Sequence, residues 1–311
     1  MCKFQGILVL FMAFTGLSSY GALSCNGIGL APTQCSPLGS LDNSAFAQET
    51  KGEVFHVEDT LRKVKSMKDD RGDIRVSVIY DNRAYTEGFE PAWGFSCLVS
   101  GIGKTILFDT GGDGSILLRN MESLRIDPKE IDIIVLSHNH WDHTGGLESY
   151  LEQHGDVTLF VPSSFPPHFR KGVERFGAEI VDVTGPVEIC DGVHSTGELG
   201  GRIEEQSLIV RTSEGLVVIT GCAHPGIVKI VKKVKEIVDD EVFLVIGGFH
   251  LGGASKRYLE EIVSSFKDLH VRYVAPCHCT GEDAIDTFKD EYEEHFIDVG
   301  AGKVLSINKL Q

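Results

Sequence analysis

From residue 74 onward the chain alternates short apolar runs with amphipathic segments, which predicts strands separated by helices. Strands are expected over residues 74–80, 94–99 and 105–108, followed by a helix over 114–124. Residues 131–136 are almost entirely Ile, Val and Leu, as suits a strand buried on both faces. A helix over 145–153, a strand over 157–161, a helix over 169–176 and a strand over 179–183 come next. Residues 208–212 and 216–220 read as a hairpin turning through Ser213-Glu214-Gly215. The pattern closes with helices over 227–238, 257–266 and 284–292 and strands over 242–246, 271–275 and 304–307. Two mixed sheets covered by helices fit this order better than one doubly wound parallel sheet, because no glycine-rich phosphate loop follows the first strand. No heptad, fixed-period repeat or helix-turn-helix signature interrupts it.

The first residues read differently. Lys3 precedes an apolar run from Gly6 to Phe14, and small polar residues follow, a signal-peptide profile too short for a membrane span. The organisation expected is a leader over 1–24, a Gly/Ser/Pro/Asn-rich linker and extension over 25–73, and one large domain over 74–311. Cleavage after Ser24 would leave Cys25 first, and Ala45-Phe46-Ala47 offers a second small-x-small site. Export, or membrane association through the N-terminus, is therefore the expectation. The alternative is a cytoplasmic protein with an apolar disordered start.

With 42% hydrophobic and 24% charged residues in 311, the chain has the balance of a globular protein. A formal charge of −16 opposes unspecific attraction to nucleic acid, so a small-molecule partner is expected and a nucleic acid is not. An anionic substrate would then need a local positive centre, which a metal supplies. Eight cysteines in this length are no dense disulfide scaffold. Cys25 and Cys35 could pair in an exported protein. Cys222, Cys277 and Cys279 stand beside histidines and invite either a metal and redox reading or that of small buried hydrophobes.

The chemistry concentrates in Ser137-His138-Asn139-His140-Trp141-Asp142-His143-Thr144, three imidazoles and a carboxylate on the loop leaving the buried run. Imidazole nitrogen and carboxylate oxygen are the ligands of catalytic zinc. Residues two apart on an extended chain point the same way, so His138 and His140 can chelate one ion, while Asp142 and His143 turn toward a second.

The pattern His-x-His-x-Asp-His closing a buried strand resembles the signature of the metallo-β-lactamase superfamily. Ile106-Leu107-Phe108-Asp109-Thr110-Gly111 is similar to the Asp-Thr-Gly segment that precedes it there, with Asp109 buttressing the metal loop. Gly221-Cys222-Ala223-His224-Pro225-Gly226, Gly247-Gly248-Phe249-His250-Leu251 and Pro276-Cys277-His278-Cys279-Thr280-Gly281 resemble a narrower group, the dihydropterin-ribofuranosyl-aminobenzene-phosphate synthase-like proteins. The likeness runs from about Ile74 to the C-terminus. It implies an α/β fold, the four-layer αββα sandwich of the metallo-β-lactamase type, and a centre of two metal ions, zinc first with iron or manganese as alternatives.

The chain also departs from the superfamily's pattern. His278 suits the last histidine, but Cys222 stands where a bridging aspartate is expected, and Thr196-Gly197-Glu198 offers Glu198 in place of the middle histidine. His224 is the replacement favoured for that histidine; His250 is a further candidate ligand. Oligomeric state is not legible. The function expected is hydrolysis of a small anionic ester, such as a phosphate ester or phosphodiester, by metal-bound hydroxide, with Asp142 orienting the nucleophile. Two rivals stay open: a redox or sulfur-handling metalloprotein, and a non-catalytic protein that uses the metal to bind a ligand.

Overall fold

The computed structural model describes residues 73–200 and 202–310. The leader and nearly all of the linker expected before residue 73 lie outside the described residues. Two sheets form the centre. The first has seven strands in the order β13-β1-β2-β3-β4-β5-β6, the second six in the order β12-β11-β10-β9-β8-β7. The first sheet contains β1 (Arg75–Tyr80), β2 (Ser96–Ser100), β3 (Ile106–Phe108), β4 (Ile133–Val135), β5 (Thr158–Pro162), β6 (Glu179–Val183) and β13 (Val304–Ser306). The second contains β7 (Val187–Cys190), β8 (Val193–Ser195), β9 (Leu208–Thr212), β10 (Gly215–Thr220), β11 (Val242–Gly248) and β12 (Tyr273–Cys277).

Period-2 alternation decides which residues face which layer. In β3, Ile106 and Phe108 point between the sheets while Leu107 points outward; in β10, Val217 and Ile219 point inward while Leu216 and Val218 point outward. The inner set, with Val76, Val135, Val210 and Ile246, forms the core between the sheets. Outside the first sheet pack α1 (Gly114–Ser123) and α3 (Leu147–Gln153), through Leu117, Met121, Tyr150 and Leu151. Outside the second pack α5 (Ile227–Ile237), α6 (Lys256–Asp268) and α7 (Glu282–Tyr292), through Ile230, Val234, Leu259, Phe266 and Phe288. The layers are thus αββα. Two shorter helices, α2 (Trp141–Thr144) and α4 (Pro167–Glu174), also occur among the described residues.

This topology gathers the loops that matter. Strands β3 to β6 run parallel, as do β10 to β12. Strand β1 is antiparallel to β2, and β2 to β3, so β1 ends on the same side as β3. The carboxyl ends of β1, β3, β4, β10, β11 and β12 therefore open on one edge, where α/β sheets commonly bind ligands.

Three local differences from the sequence pattern have physical causes. Strand β12 starts later than residue 271 because the Val271 amide still bonds to Phe266 O at the end of α6. The helix expected from residue 145 is preceded by the separate turn α2. The hairpin β7–β8 was not anticipated, since both strands are short and β7 is half-exposed.

Candidate metal centre

Each functional side chain sits just past a strand end. Beyond β4 the chain bends at Asn139, is extended at His140 with φ −99° and ψ 149°, and turns helical at Trp141. His138 and His140 come together there, with His138 Nε2 and His140 Nδ1 3.0 Å apart. The helical turn then swings Asp142 and His143 to a second position. Three donor groups result, each with ligand atoms within 4.8 Å of one another: His138, His140 and His224; Asp142, His143, Cys222 and His278; and Cys222, His250 and Cys279. Cys222 belongs to two of them, and its sulfur lies 3.1 Å from His143 Nε2. The rings of His224 and His250 are 4.5 Å apart, which ties the third group to the first.

Glu198 is not among these groups. Its carboxylate accepts from the Ser164 amide at 2.6 Å, whereas His224 stands with His138 and His140.

Several imidazoles have one nitrogen fixed from behind and the other turned inward. His143 Nδ1 lies 2.7 Å from Asp109 Oδ2, and His278 Nδ1 lies 3.1 Å from Asn82 Oδ1. His138 Nδ1 lies 2.9 Å from Ser137 Oγ, which itself donates to Asp109 Oδ2 at 2.6 Å. One carboxylate thus sets two tautomers, that of His143 directly and that of His138 through a hydroxyl, leaving both Nε2 lone pairs facing the cleft. Nε2 of His224 and of His278 are buried without any hydrogen-bond partner. Buried polar atoms are seldom left so. Outer partners on one nitrogen and a bare lone pair on the other are what a metal-binding histidine requires, so these residues fit divalent ions.

The electrostatics agree. Burial, together with the neighbouring imidazoles His143, His224 and His140, pushes His138 well below its ordinary value. His224 is pulled down to about 4 by burial and by His250 and His140. Both are therefore neutral donors at pH 7. Burial opposes ionisation of Asp142, but the imidazoles of His278 and His143, whose Nε2 atoms lie 3.3 and 3.7 Å from its Oδ2, outweigh it and hold the carboxylate well below its usual range. Trp93 Nε1 donates to Asp142 Oδ2 at 2.9 Å. Of the two neighbouring thiols, Cys279 is the one held toward thiolate, through hydrogen bonds with Cys222 and His250.

Four supporting residues carried no signal in the sequence. Buried Glu205 accepts from Thr220 Oγ1 (3.1 Å) and from the amides of Cys222 (2.9 Å), Ala223 (2.9 Å) and His224 (2.8 Å), and so shapes the loop that presents two candidate ligands. Asp81 accepts from the His278 amide at 3.0 Å, beside Asn82. Trp93 is the fourth, and it is half-exposed at the mouth. The backbone is strained where the ligands leave the strands: Asp109, Ala223, His250 and His278 have φ of 55°, 59°, 52° and 51°. At Gly221 any Cβ would lie 2.2 Å from Ser137 Oγ, so only glycine lets the two sheets' loops approach this closely.

A sequence profile of the metallo-beta-lactamase superfamily matches residues 94–228. The 7,8-dihydropterin-6-methyl-4-(beta-D-ribofuranosyl)-aminobenzene-5'-phosphate synthase of Methanocaldococcus jannaschii is 32% identical over 274 residues, 72% of this chain and 93% of the relative. The chain belongs to the metallo-β-lactamase superfamily. Within the superfamily it groups with the synthase-like proteins represented by that relative. A solved metal-dependent hydrolase of the beta-lactamase superfamily is 33% identical, with a TM-score of 0.63 over 75% of this chain and 98% of that one. Ribonuclease Z of Nanoarchaeum equitans is 28% identical over 43% of this chain and 48% of the relative. No helix among the described residues is long and apolar enough to cross a membrane.

Proposed function

We propose that the protein is a metal-dependent hydrolase of a small anionic ester, with phosphate esters and phosphodiesters foremost. The observation that carries this reading is the pair of donor groups, His138/His140/His224 and Asp142/His143/Cys222/His278, side by side at the sheet edge. Two divalent ions held there, zinc in the first instance, would activate water and neutralise charge on the leaving oxygen. The chain's own residues do the rest. Asp109 and Ser137 fix the imidazoles, Trp93 holds Asp142, and the ionised Asp142 would orient the attacking water and accept its proton. No serine or cysteine nucleophile is required. Support for the substrate class comes from the relatives: the name of one carries a phosphate and that of another a nuclease activity, while a charge of −16 argues for a small substrate rather than a polynucleotide.

The test is a screen of zinc-, iron- and manganese-loaded protein against bis(p-nitrophenyl) phosphate, p-nitrophenyl phosphate, a thioester and a lactone. Turnover of a phosphate ester that falls at least about a hundredfold in His140→Ala is expected. Equal turnover by that variant, or none of any ester by loaded protein, would overturn the reading. The group Cys222, His250 and Cys279 favours a second reading, a redox or sulfur-handling centre. Iron retained through purification with a visible thiolate charge-transfer band would replace the first reading by the second.

A further inference from the structure

A groove of about 720 Å³ lies between α5 and α6, and the candidate centre forms its inner end through His224 and His250. Its floor is apolar, including Leu199, Phe249, Leu251 and Ile262. Its rim is not. Lys229, Lys232 and Lys233 line it against a single acid, Glu236, in a chain whose net charge is −16. The three lysines fall three and four residues apart on one helix, so they share a face. Lys233 is paired with Glu236 at 3.0 Å, and Lys229 donates to the carbonyl of Gly200 at 2.8 Å, which leaves its charge uncompensated. Lys232 is exposed and has no ion pair among the described residues. Tyr258, on α6, closes the outer side and is 47% exposed.

An apolar floor with an aromatic wall and two uncompensated cations fits one kind of ligand. We propose that the groove binds the part of the substrate remote from the reacting bond, and that this part is an aromatic or apolar body bearing an anionic group, held by Lys229 and Lys232. The proposal rests on the hydrolase reading, whose reacting bond would lie at His224. At about 1.5 Å rise per residue, Lys232 is about 7.5 Å along α5 from its first residue, Ile227. Lys229 and Lys232 therefore both lie within the first one and a half turns of α5, the end nearer His224. The positive end of the α5 dipole, at Gly226 where no side chain caps the helix, adds to the same field.

Binding can be tested without turnover. The probe is naphthalene-1-sulfonate, an aromatic anion that cannot be hydrolysed, titrated by fluorescence with 1-naphthol as the uncharged control. The wild-type protein is expected to bind the sulfonate more tightly than the naphthol, and less tightly as salt rises. Lys229→Ala/Lys232→Ala should weaken sulfonate binding about tenfold, the combined effect of two exposed charges, and leave naphthol binding and metal content unchanged. His140→Ala should retain sulfonate binding. Unchanged sulfonate affinity in the double lysine variant, or sulfonate binding lost in His140→Ala instead, would overturn the proposal. Absent ester turnover with lysine-dependent sulfonate binding intact would count against the hydrolase reading and leave the anion groove standing.

Discussion

Replacing Asp109 by Asn changes little except which atoms at the base of the centre accept hydrogen bonds. The carboxylate is fully buried and accepts three: from the Ser137 amide at 2.7 Å on Oδ1, and from Ser137 Oγ at 2.6 Å and His143 Nδ1 at 2.7 Å on Oδ2. Asparagine tolerates the left-handed backbone at this position, φ 55°, so the substitution adds no new strain there. Its oxygen can keep the Ser137 amide, but its NH2 then faces two donors. Each lost bond to an ionised group is worth about 1.5–3 kcal/mol, and relaxation recovers part of it, so a stability loss of about 3 kcal/mol is expected. His143 can escape the clash only by moving its proton to Nε2, which points that proton at Cys222 Sγ and blocks the lone pair meant for metal. Zinc affinity should fall about 10- to 100-fold. Urea unfolding of metal-free protein measures the first effect, and competition with a chelator of known affinity the second. An Asp109→Asn protein binding zinc within twofold of wild type would refute the assignment of Asp109 as the residue that sets these tautomers.

Three further outcomes follow from the same geometry. Glu205→Gln should cost about 1–3 kcal/mol, because its NH2 cannot accept from the His224 amide, and should lower zinc affinity; a variant unchanged in both would contradict the role given to Glu205. Gly221→Ala should destabilise by about 1–3 kcal/mol through the contact with Ser137, read as a shift of the urea midpoint, with an unshifted midpoint the contrary result. His224 ionises at about 4 in the fold against 6.5 for a free imidazole, so the unfolded chain takes the proton first as pH falls. Metal-free wild type should therefore lose stability relative to His224→Asn between pH 6.5 and about 4, with no divergence above it; parallel melting curves across that range would refute the shift.

Legibility in the sequence tracked whether a feature is local. The run from His138 to His143 carries its own spacing, and the apolar segment before it announces the buried strand β4, so the donors that the fold brings together there could be read directly. The two sheets were readable from alternation, as in β3 and β10. Supporting residues were not, because their partners are far away along the chain. Asn82 meets His278 across 196 residues, and Glu205 acts on a loop 17 to 19 residues later through backbone amides that have no sequence signature. Glu198 illustrates the converse: its position in the chain suggested a ligand, but the fold turns it to the Ser164 amide. The half-exposed hairpin strand β7 lacked both the length and the apolar face that make a strand visible.

The central claim, two neighbouring metal positions sharing the loop ends of both sheets, is tested most directly by metal stoichiometry. Protein purified with supplemented zinc and desalted should carry about two ions per chain by elemental analysis, with His140→Ala and His278→Ala each reduced toward one. A wild-type protein near zero, or a His278→Ala protein that still holds two, would contradict the account.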